Sequence, residues 1–169
     1  MRAVIQRVKA ACLAVNKENR AIGEGYVVLL GICNDDTEED VAWLVKKIIG
    51  LRVFSDAEGV MNLDIKSLPM NSASESTETA SDGAKACKTG DIMVVSQFTL
   101  YASYKKGNRP SWIHAAGHDV AIPLYQRFCS EIQKALGKPI VTGEFGADMK
   151  VLLCNDGPVT ICMDTKNKE

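Results

Sequence analysis

Histidine is scarce in this chain, which contains only two, His114 and His118. Their spacing of four residues suits one face of a helix, but Gly117 lies between them and no acidic side chain completes a metal-binding motif. We therefore expect no metal site.

Closely spaced cysteine pairs are also missing. The sequence has no C-x-x-C, and most of its six cysteines fall within apolar runs. We expect them to be reduced and packed as small buried hydrophobic side chains. They are Cys12, Cys33, Cys87, Cys129, Cys154 and Cys162.

Long apolar runs and a charge excess are absent as well. No stretch approaches the roughly 20 apolar residues of a membrane span. Arg2 and Arg7 interrupt any apolar core of a signal peptide. The 20 Lys and Arg balance 21 Asp and Glu, which disfavours a protein that coats nucleic acid but permits contact with one RNA end. These features predict a cytoplasmic protein with no membrane partner.

Apolar residues are present in the amount a single domain needs, at 46% of 169 residues. Strand-like segments at Ala3–Val8 and Ala11–Val15 precede a predicted polar turn at residues 16–20. The apolar run Gly25–Cys33 predicts a strand buried on both faces.

Two amphipathic helices follow from helical spacing and end signals. Thr37–Asp40 resembles a capping box, Val41 to Ile48 repeat at helical spacing, and Gly50 ends the pattern. A second helix is predicted from about Pro123 to Leu136. The sequence therefore predicts an α/β protein.

One segment, at about residues 69–90, is rich in Ser, Thr and Glu and contains few large apolar residues. It cannot bury enough surface to offset its ordering entropy. We expect an inserted polar loop within a single domain that spans residues 1–169.

The chemically interesting residues begin where the predicted strand Asp91–Val95 ends. Ser96, Gln97, Phe98 and Thr99 follow it, so their polar groups and backbone N–H groups are placed to line a pocket and to stabilise an oxyanion. A strand with a polar outer face would give the same pattern. Beyond it, Lys105–Trp112 forms a basic loop suited to phosphates or to solvent.

The hexapeptide Asn155–Thr160 stands between two apolar runs, Lys150–Cys154 and Val159–Met163. This pattern predicts two strands joined by a tight turn. Gly157–Pro158 within it can hold two carbonyl oxygens in a fixed direction, because proline restricts the backbone. Fixed carbonyls are good acceptors for an ammonium group.

Several segments together resemble the D-aminoacyl-tRNA deacylase family, in the family's order and over nearly the whole chain. The chain departs from the family pattern in two ways. About twenty extra residues precede the strand at Asp91, and Asn108 and Trp112 stand where arginine and phenylalanine are expected. The resembling segments are Met1–Val8, Gly59–Leu63, Ser96–Leu100, Lys105–Ser111, Phe145–Lys150 and Asn155–Thr160.

The resemblance implies a fold and an assembly. The fold would be a three-layer β/β/α domain with helices packed on one side, and the protein a homodimer. Gly157 and Pro158, joined by a cis bond and braced by Arg7, would enter the partner's pocket and bind the substrate's α-amino group. Met61 and Asn62 would also bind substrate.

The resemblance also implies an activity: hydrolysis of the ester in D-aminoacyl-tRNA, and of mischarged glycyl-tRNA, with no cofactor. Ser96, Gln97, Phe98 and Thr99 would form the catalytic segment. Either Thr99 is the nucleophile, or the ribose 2′-hydroxyl of the tRNA activates water while backbone N–H groups near Phe98 and Thr99 hold the oxyanion. We favour the second route.

Two other classes of function remain open from the residues. One is a serine hydrolase that uses Ser96 or Ser111 with His114 or His118, although no G-x-S-x-G motif is present. The other is a non-catalytic module that binds an RNA end.

Overall fold

The computed structural model describes residues 1–68, 90–105 and 107–168. The predicted polar insertion at about 69–90 lies outside the described residues, apart from Gly90. Cys87 and Lys106 also lie outside them.

The first strand, β1 (Arg2–Val15), is one continuous element where the sequence predicted two. Along one edge it pairs antiparallel first with β3 (Gly25–Gly31) and then with β2 (Glu18–Ile22). Asn16 and Lys17 alone make the turn before β2, with φ of 48° and 66°. The predicted turn at 16–20 was therefore too long, because a two-residue turn with positive φ suffices between twisted strands.

After helix α1 (Glu38–Ile49), a small separate hairpin of β4 (Phe54–Ser55) and β5 (Met61–Leu63) leads into a 3-10 turn at Ile65–Ser67. The main sheet continues with β6 (Asp91–Ser96) parallel to β3, and β7 (Val141–Thr142) parallel to β6. Because β3 has β1 and β6 as neighbours and packing on both faces, its buried run agrees with the prediction, although it ends at Gly31 rather than Cys33.

The hairpin predicted around Asn155–Thr160 was wrong, because both apolar runs belong to one strand, β8 (Lys150–Asp164). It runs antiparallel to β1 over almost the whole length of both strands. Asn155 lies opposite Val8 and Thr160 opposite Gln6, so four residues of β8 face only Arg7. The expected turn is therefore a large bulge, which pushes residues 156–159 out of the ladder without reversing the chain.

Helix α1 begins after Thr37, whose backbone N–H donates to the Asp40 carboxylate at 2.9 Å, as in the predicted capping box. Helix α2 (His118–Leu136) begins five residues before the predicted start, and Pro123 lies inside it. Proline at this position removes only one hydrogen-bond donor near the helix start, so the helix tolerates it. Gly137 ends α2 in the left-handed conformation.

The core has two parts. One lies between the sheet and the helices and includes Ala3, Ile5, Leu44 and Phe128. The other lies on the opposite face, and its buried members all belong to strands β1, β2, β3 and β6. The α/β single-domain fold with helices on one side of the sheet is thus confirmed.

The prediction of buried cysteines was wrong for the described residues. Cys12, Cys33 and Cys129 are half-buried, and Cys154 and Cys162 are exposed. The last two lie on β8, which has a sheet partner on only one edge, so an apolar run there does not signal burial. In the described ranges no helix is long and apolar enough to span a membrane, and no three His, Cys, Asp or Glu side chains form a metal-binding group.

Candidate active site

A cavity of about 600 Å³ opens where β6 ends. Ser96, Gln97 and Phe98 line it on one side, and His118 at the start of α2 lines it on another. The rest of its wall is mostly apolar, with contributions from Trp112, residues 115–117 and residues 145–149. Its volume lies within the range of about 300–1,000 Å³ that is usual for sites of small ligands.

A 3-10 helix, Phe98–Tyr101, borders this cavity. It is fixed at its start, because the Gln97 N–H donates to the Leu30 carbonyl at 2.7 Å. The first donor within the helix is Leu100, which bonds the Gln97 carbonyl at 3.2 Å. The N–H groups of Phe98 and Thr99 precede that donor, so the helix's own hydrogen bonds leave them available to a substrate oxyanion.

Gly31 of β3 allows this helix to lie close to the sheet. A Cβ atom at Gly31 would be 3.0 Å from the Leu100 Cβ and 3.1 Å from the Gln97 carbonyl oxygen. Any larger residue would push the 3-10 helix outward, and with it the N–H groups beside the cavity.

The side chains near these N–H groups do not form a nucleophile–base pair. The Gln97 side-chain amide donates to the Thr99 hydroxyl. Among the described residues, no hydrogen bond joins Ser96 or Thr99 to a histidine, although Ser96 and His118 line the same cavity. Ser111 is exposed and bonded through its backbone to Ser103. A hydroxyl without a base is a poor nucleophile.

Tyr101, the last residue of the 3-10 helix, does not supply that base. Its side chain is buried, and within the described residues its hydroxyl has no hydrogen-bond partner. Burial first, and the neighbouring Cys33 second, raise the pKa of Tyr101. The phenol therefore stays neutral.

The bulge of β8, residues 156–159, is here called the tip. Its Gly157–Pro158 peptide bond is cis, and Gly157 has a φ of 117°. A Cβ atom at Gly157 would lie 2.8 Å from Val159 Cγ2 and 3.0 Å from Arg7 Nη2. Both the backbone conformation and the space therefore require glycine.

Arg7 braces the tip from β1. Its Nε atom lies 3.2 Å from the Asp156 carbonyl oxygen and 3.0 Å from the Asp156 carboxylate. Its Nη1 donates to the Val53 carbonyl, and Lys9 approaches the same carboxylate at 3.6 Å. These contacts hold the residue that immediately precedes Gly157.

A second group of contacts closes the base of the tip and was not predicted. The Gln6 side-chain oxygen accepts from Asn155 Nδ2 and from the Thr160 hydroxyl, the latter at 2.6 Å. Asn155 in turn accepts the Val159 N–H at 3.1 Å. The only signal in the sequence is polar residues in otherwise apolar strands, and it does not reveal their pairing.

Met61 and Asn62, predicted to bind substrate, do not line the cavity. Met61 is 56% exposed on β5. The Asn62 carbonyl accepts from the Arg52 side chain at 2.7 Å. Val53, which follows Arg52 in the chain, accepts from Arg7 through its carbonyl. Asn62 is thus connected to Arg7, which braces the tip, through Arg52 and Val53.

Apart from Met61 and Asn62, the predicted site residues fall into two groups. Ser96, Gln97 and Phe98 line the cavity, with Thr99 adjacent. Gly157 and Pro158 belong to the tip and Arg7 braces it, and none of these three lines the cavity of its own chain. The sequence did not indicate that Phe145 and Met149 form the opposite wall of the cavity, and it offered His118 only as a possible base of a serine hydrolase.

Comparison with known proteins assigns the chain to a family. A family model described as D-Tyr-tRNA(Tyr) deacylase matches residues 4–76 and 72–164. The chain belongs to this family. It is accordingly an enzyme, a hydrolase acting on the ester bond of aminoacyl-tRNA.

Similar deacylases cover the chain from end to end. The chain is 56% identical to a D-aminoacyl-tRNA deacylase from Phocaeicola vulgatus and 52% identical to one from Bacteroides thetaiotaomicron, each over 100% of both proteins. A third such relative, from Flavobacterium johnsoniae, is 49% identical over 100% of both.

Two solved structures share the fold. A c-Myc DNA unwinding element binding protein superposes with a TM-score of 0.79 at 35% identity, over 97% of this chain and 98% of that one. A probable eukaryotic D-amino acid tRNA deacylase superposes with a TM-score of 0.73 at 19% identity, over 96% and 97% of the two chains. The second likeness concerns the fold alone.

Proposed function

We propose that this deacylase removes D-amino acids, and glycine from mischarged tRNA, as a homodimer in which the tip of each subunit enters the cavity of the other. One observation carries the proposal: the tip is rigidly braced, yet it does not line the cavity of its own chain. A two-fold axis that brings the tip of one copy to the cavity of another would complete both sites at once.

Selection for D-residues would come from the tip. The carbonyl oxygens of Gly157 and Pro158 bind the α-amino group of the substrate, and an L-residue directs its side chain into those oxygens. Exclusion by a clash leaves the pocket free to accept many side chains. Glycine has no side chain to exclude, so glycyl-tRNA passes the same test.

Catalysis would come from positioning. The N–H groups of Phe98 and Thr99 stabilise the oxyanion of the tetrahedral intermediate, and the 2′-hydroxyl of the terminal ribose activates water. Among the described residues no histidine is hydrogen-bonded to Thr99 or Ser96, and this supports the route over a side-chain nucleophile. No cofactor takes part.

The tRNA would approach by its acceptor end, in the cytoplasm. Backbone bonds between Ser103 and Ser111, both of 2.8 Å, close an exposed loop that carries Lys105 and Arg109. Trp112, which follows this loop, lines the cavity. Cations on such a loop suit the phosphates of the terminal nucleotides.

The test is single-turnover hydrolysis of D-tyrosyl-, L-tyrosyl- and glycyl-tRNA, together with the molecular mass in solution by light scattering. We expect rapid cleavage of the D-tyrosyl and glycyl esters, much slower cleavage of the L-tyrosyl ester, and a dimeric mass. Equal rates for the D- and L-esters would overturn the chiral selection, and a monomeric mass in an active preparation would overturn the shared site. Tight binding of tRNA without turnover would identify a binding module instead.

A further inference from the structure

The far end of the 3-10 helix is held by a residue outside the cavity. The Arg2 Nη1 donates to the Leu100 carbonyl at 3.0 Å. The same guanidinium lies 4.6 Å from the centre of the Tyr101 ring. Arg2 therefore contacts the last two residues of the helix that carries the Phe98 and Thr99 N–H groups.

The Leu100 carbonyl needs such a donor. In a longer 3-10 helix it would accept from Ser103, but the Ser103 N–H donates to Ser111 across the neighbouring loop. Arg2 replaces the missing donor and places positive charge at the carbonyl end of the helix, where it is favourable.

Arg2 is itself held in place from β8. Its Nε lies 2.9 Å from the Asp164 carboxylate, and the two residues are partners across the β1–β8 ladder. The Asp164 carboxylate also accepts the Lys166 N–H at 2.9 Å. A planar guanidinium can bond the carboxylate and the carbonyl and stack on the ring at the same time, whereas an ammonium group cannot.

We propose that Arg2, oriented by Asp164, is a positioning residue that fixes the Phe98 and Thr99 N–H groups in the geometry the oxyanion requires. The inference rests on the proposed function of those N–H groups. Arg2 touches neither the cavity nor the tip, so its loss should slow the chemical step while leaving chiral selection intact.

The test compares Arg2→Met, Arg2→Lys and Asp164→Asn with Arg20→Met as a matched control. Arg20 makes the same kinds of contact away from the cavity, since it donates to the Thr142 carbonyl at 2.8 Å and pairs with Glu18 at 2.8 Å. The measurements are the single-turnover rate at saturating enzyme, the tRNA dissociation constant, the D/L rate ratio and the melting temperature.

We expect Arg2→Met to lower the saturating rate by about 10- to 100-fold, since a misplacement of about 1 Å in a catalytic group has effects of this size. Arg2→Lys and Asp164→Asn should show smaller losses. The dissociation constant and the D/L ratio should stay at the parental values in all three, and Arg20→Met should keep the parental rate.

Several outcomes would overturn the proposal. A change confined to the dissociation constant would make Arg2 an RNA contact. If Arg20→Met lost as much rate as Arg2→Met at an equal loss of melting temperature, the role of Arg2 would be merely structural. If Arg2→Met does not fold, an unchanged rate in Asp164→Asn overturns the proposal. An inactive parent would refute the proposed function as well, whereas an active parent with unaltered variants refutes this inference alone.

Discussion

At the scale of single residues, Thr99 separates the two catalytic routes. Its hydroxyl accepts from Gln97, and in the part of the chain that the structure describes no hydrogen bond joins it to a histidine. We expect Thr99→Ala to keep the single-turnover rate within about tenfold of the parent, because the general-base contribution of about 10²–10⁴ would come from the substrate instead.

A 3′-linked ester on a terminal adenosine that lacks the 2′-hydroxyl should be nearly inert with both Thr99→Ala and the parent. If the parent cleaved that deoxy substrate at the normal rate and Thr99→Ala cleaved no substrate, the side-chain mechanism would be established.

Asp156 is the residue whose charge holds the tip. Asp156→Asn weakens the contacts to Arg7 and Lys9, so we expect the D/L rate ratio to fall about three- to tenfold through a looser tip, in line with the strength of charge-assisted hydrogen bonds. Rates on D- and L-tyrosyl-tRNA measure it. Glu18→Gln, which breaks a pair with Arg20 at 2.8 Å elsewhere, should leave the ratio unchanged.

The position of some candidate residues could be predicted from the sequence. Gly157 and the segment after β6 stood out because their residue types are unusual for strands, and the structure places that segment in the cavity wall. Gln6 could not be predicted, since its role depends on a register that brings it opposite Thr160. Residues far apart in the chain acquire such roles only through pairing.

At the scale of elements, β3 and the 3-10 helix are in close contact at Gly31, where a Cβ atom would lie 3.0 Å from the Leu100 Cβ. Gly31→Ala should lower the saturating rate by about tenfold or more, since the new methyl group would meet Leu100 and the Gln97 carbonyl. Kinetics with D-tyrosyl-tRNA and a melting curve measure the effect.

Gly50→Ala is the control for that substitution. Its Cβ would lie 3.3 Å from the Lys46 carbonyl oxygen at the end of α1, where φ is −87°. A parental rate in Gly31→Ala would show that the helix has room to move without consequence.

Elements with strong periodicity were predictable, as α1 shows. β8 was not, because a bulged strand and a hairpin share the same pattern of two apolar runs around a Gly-Pro pair. Only the partner decides between them: β1 is long enough to pair with both runs. The start of α2 was missed because Pro123 is a good first-turn residue, yet the helix accommodates it further in.

At the scale of the whole molecule, Asp40 connects α1 to the chain after β8 through Lys166 at 2.7 Å. Burial opposes its charge, but hydrogen bonds from Lys166 and Thr165 outweigh burial and hold the pKa of Asp40 well below its usual range. As the pH falls, the Asp40 carboxyl is protonated in the unfolded chain before it is protonated in the folded protein. The ionised carboxylate therefore stabilises the fold above about pH 4, and this stabilisation is lost as the pH falls through the pKa of the folded state.

Asp40→Asn should therefore reduce the free energy of unfolding by about 2 kcal/mol at pH 7, and the difference from the parent should narrow as the pH falls below about 4. Urea titrations at several pH values measure it. Glu39→Gln, in the same turn but exposed, should change the free energy of unfolding much less. If the difference between Asp40→Asn and the parent grew as the pH fell, the stabilising role of the Asp40 carboxylate would be contradicted.

If the proposed homodimer forms, the tip that does not line its own cavity has a consequence for mixtures of defective subunits. A Gly157→Ala chain would keep an intact cavity, and a Gly31→Ala chain an intact tip. When the two chains are coexpressed, about half of the dimers would be mixed, and each mixed dimer would have one working site of two. About a quarter of the activity of the unsubstituted protein should therefore return, although each variant alone is only weakly active. A site built within one chain would give no recovery at all.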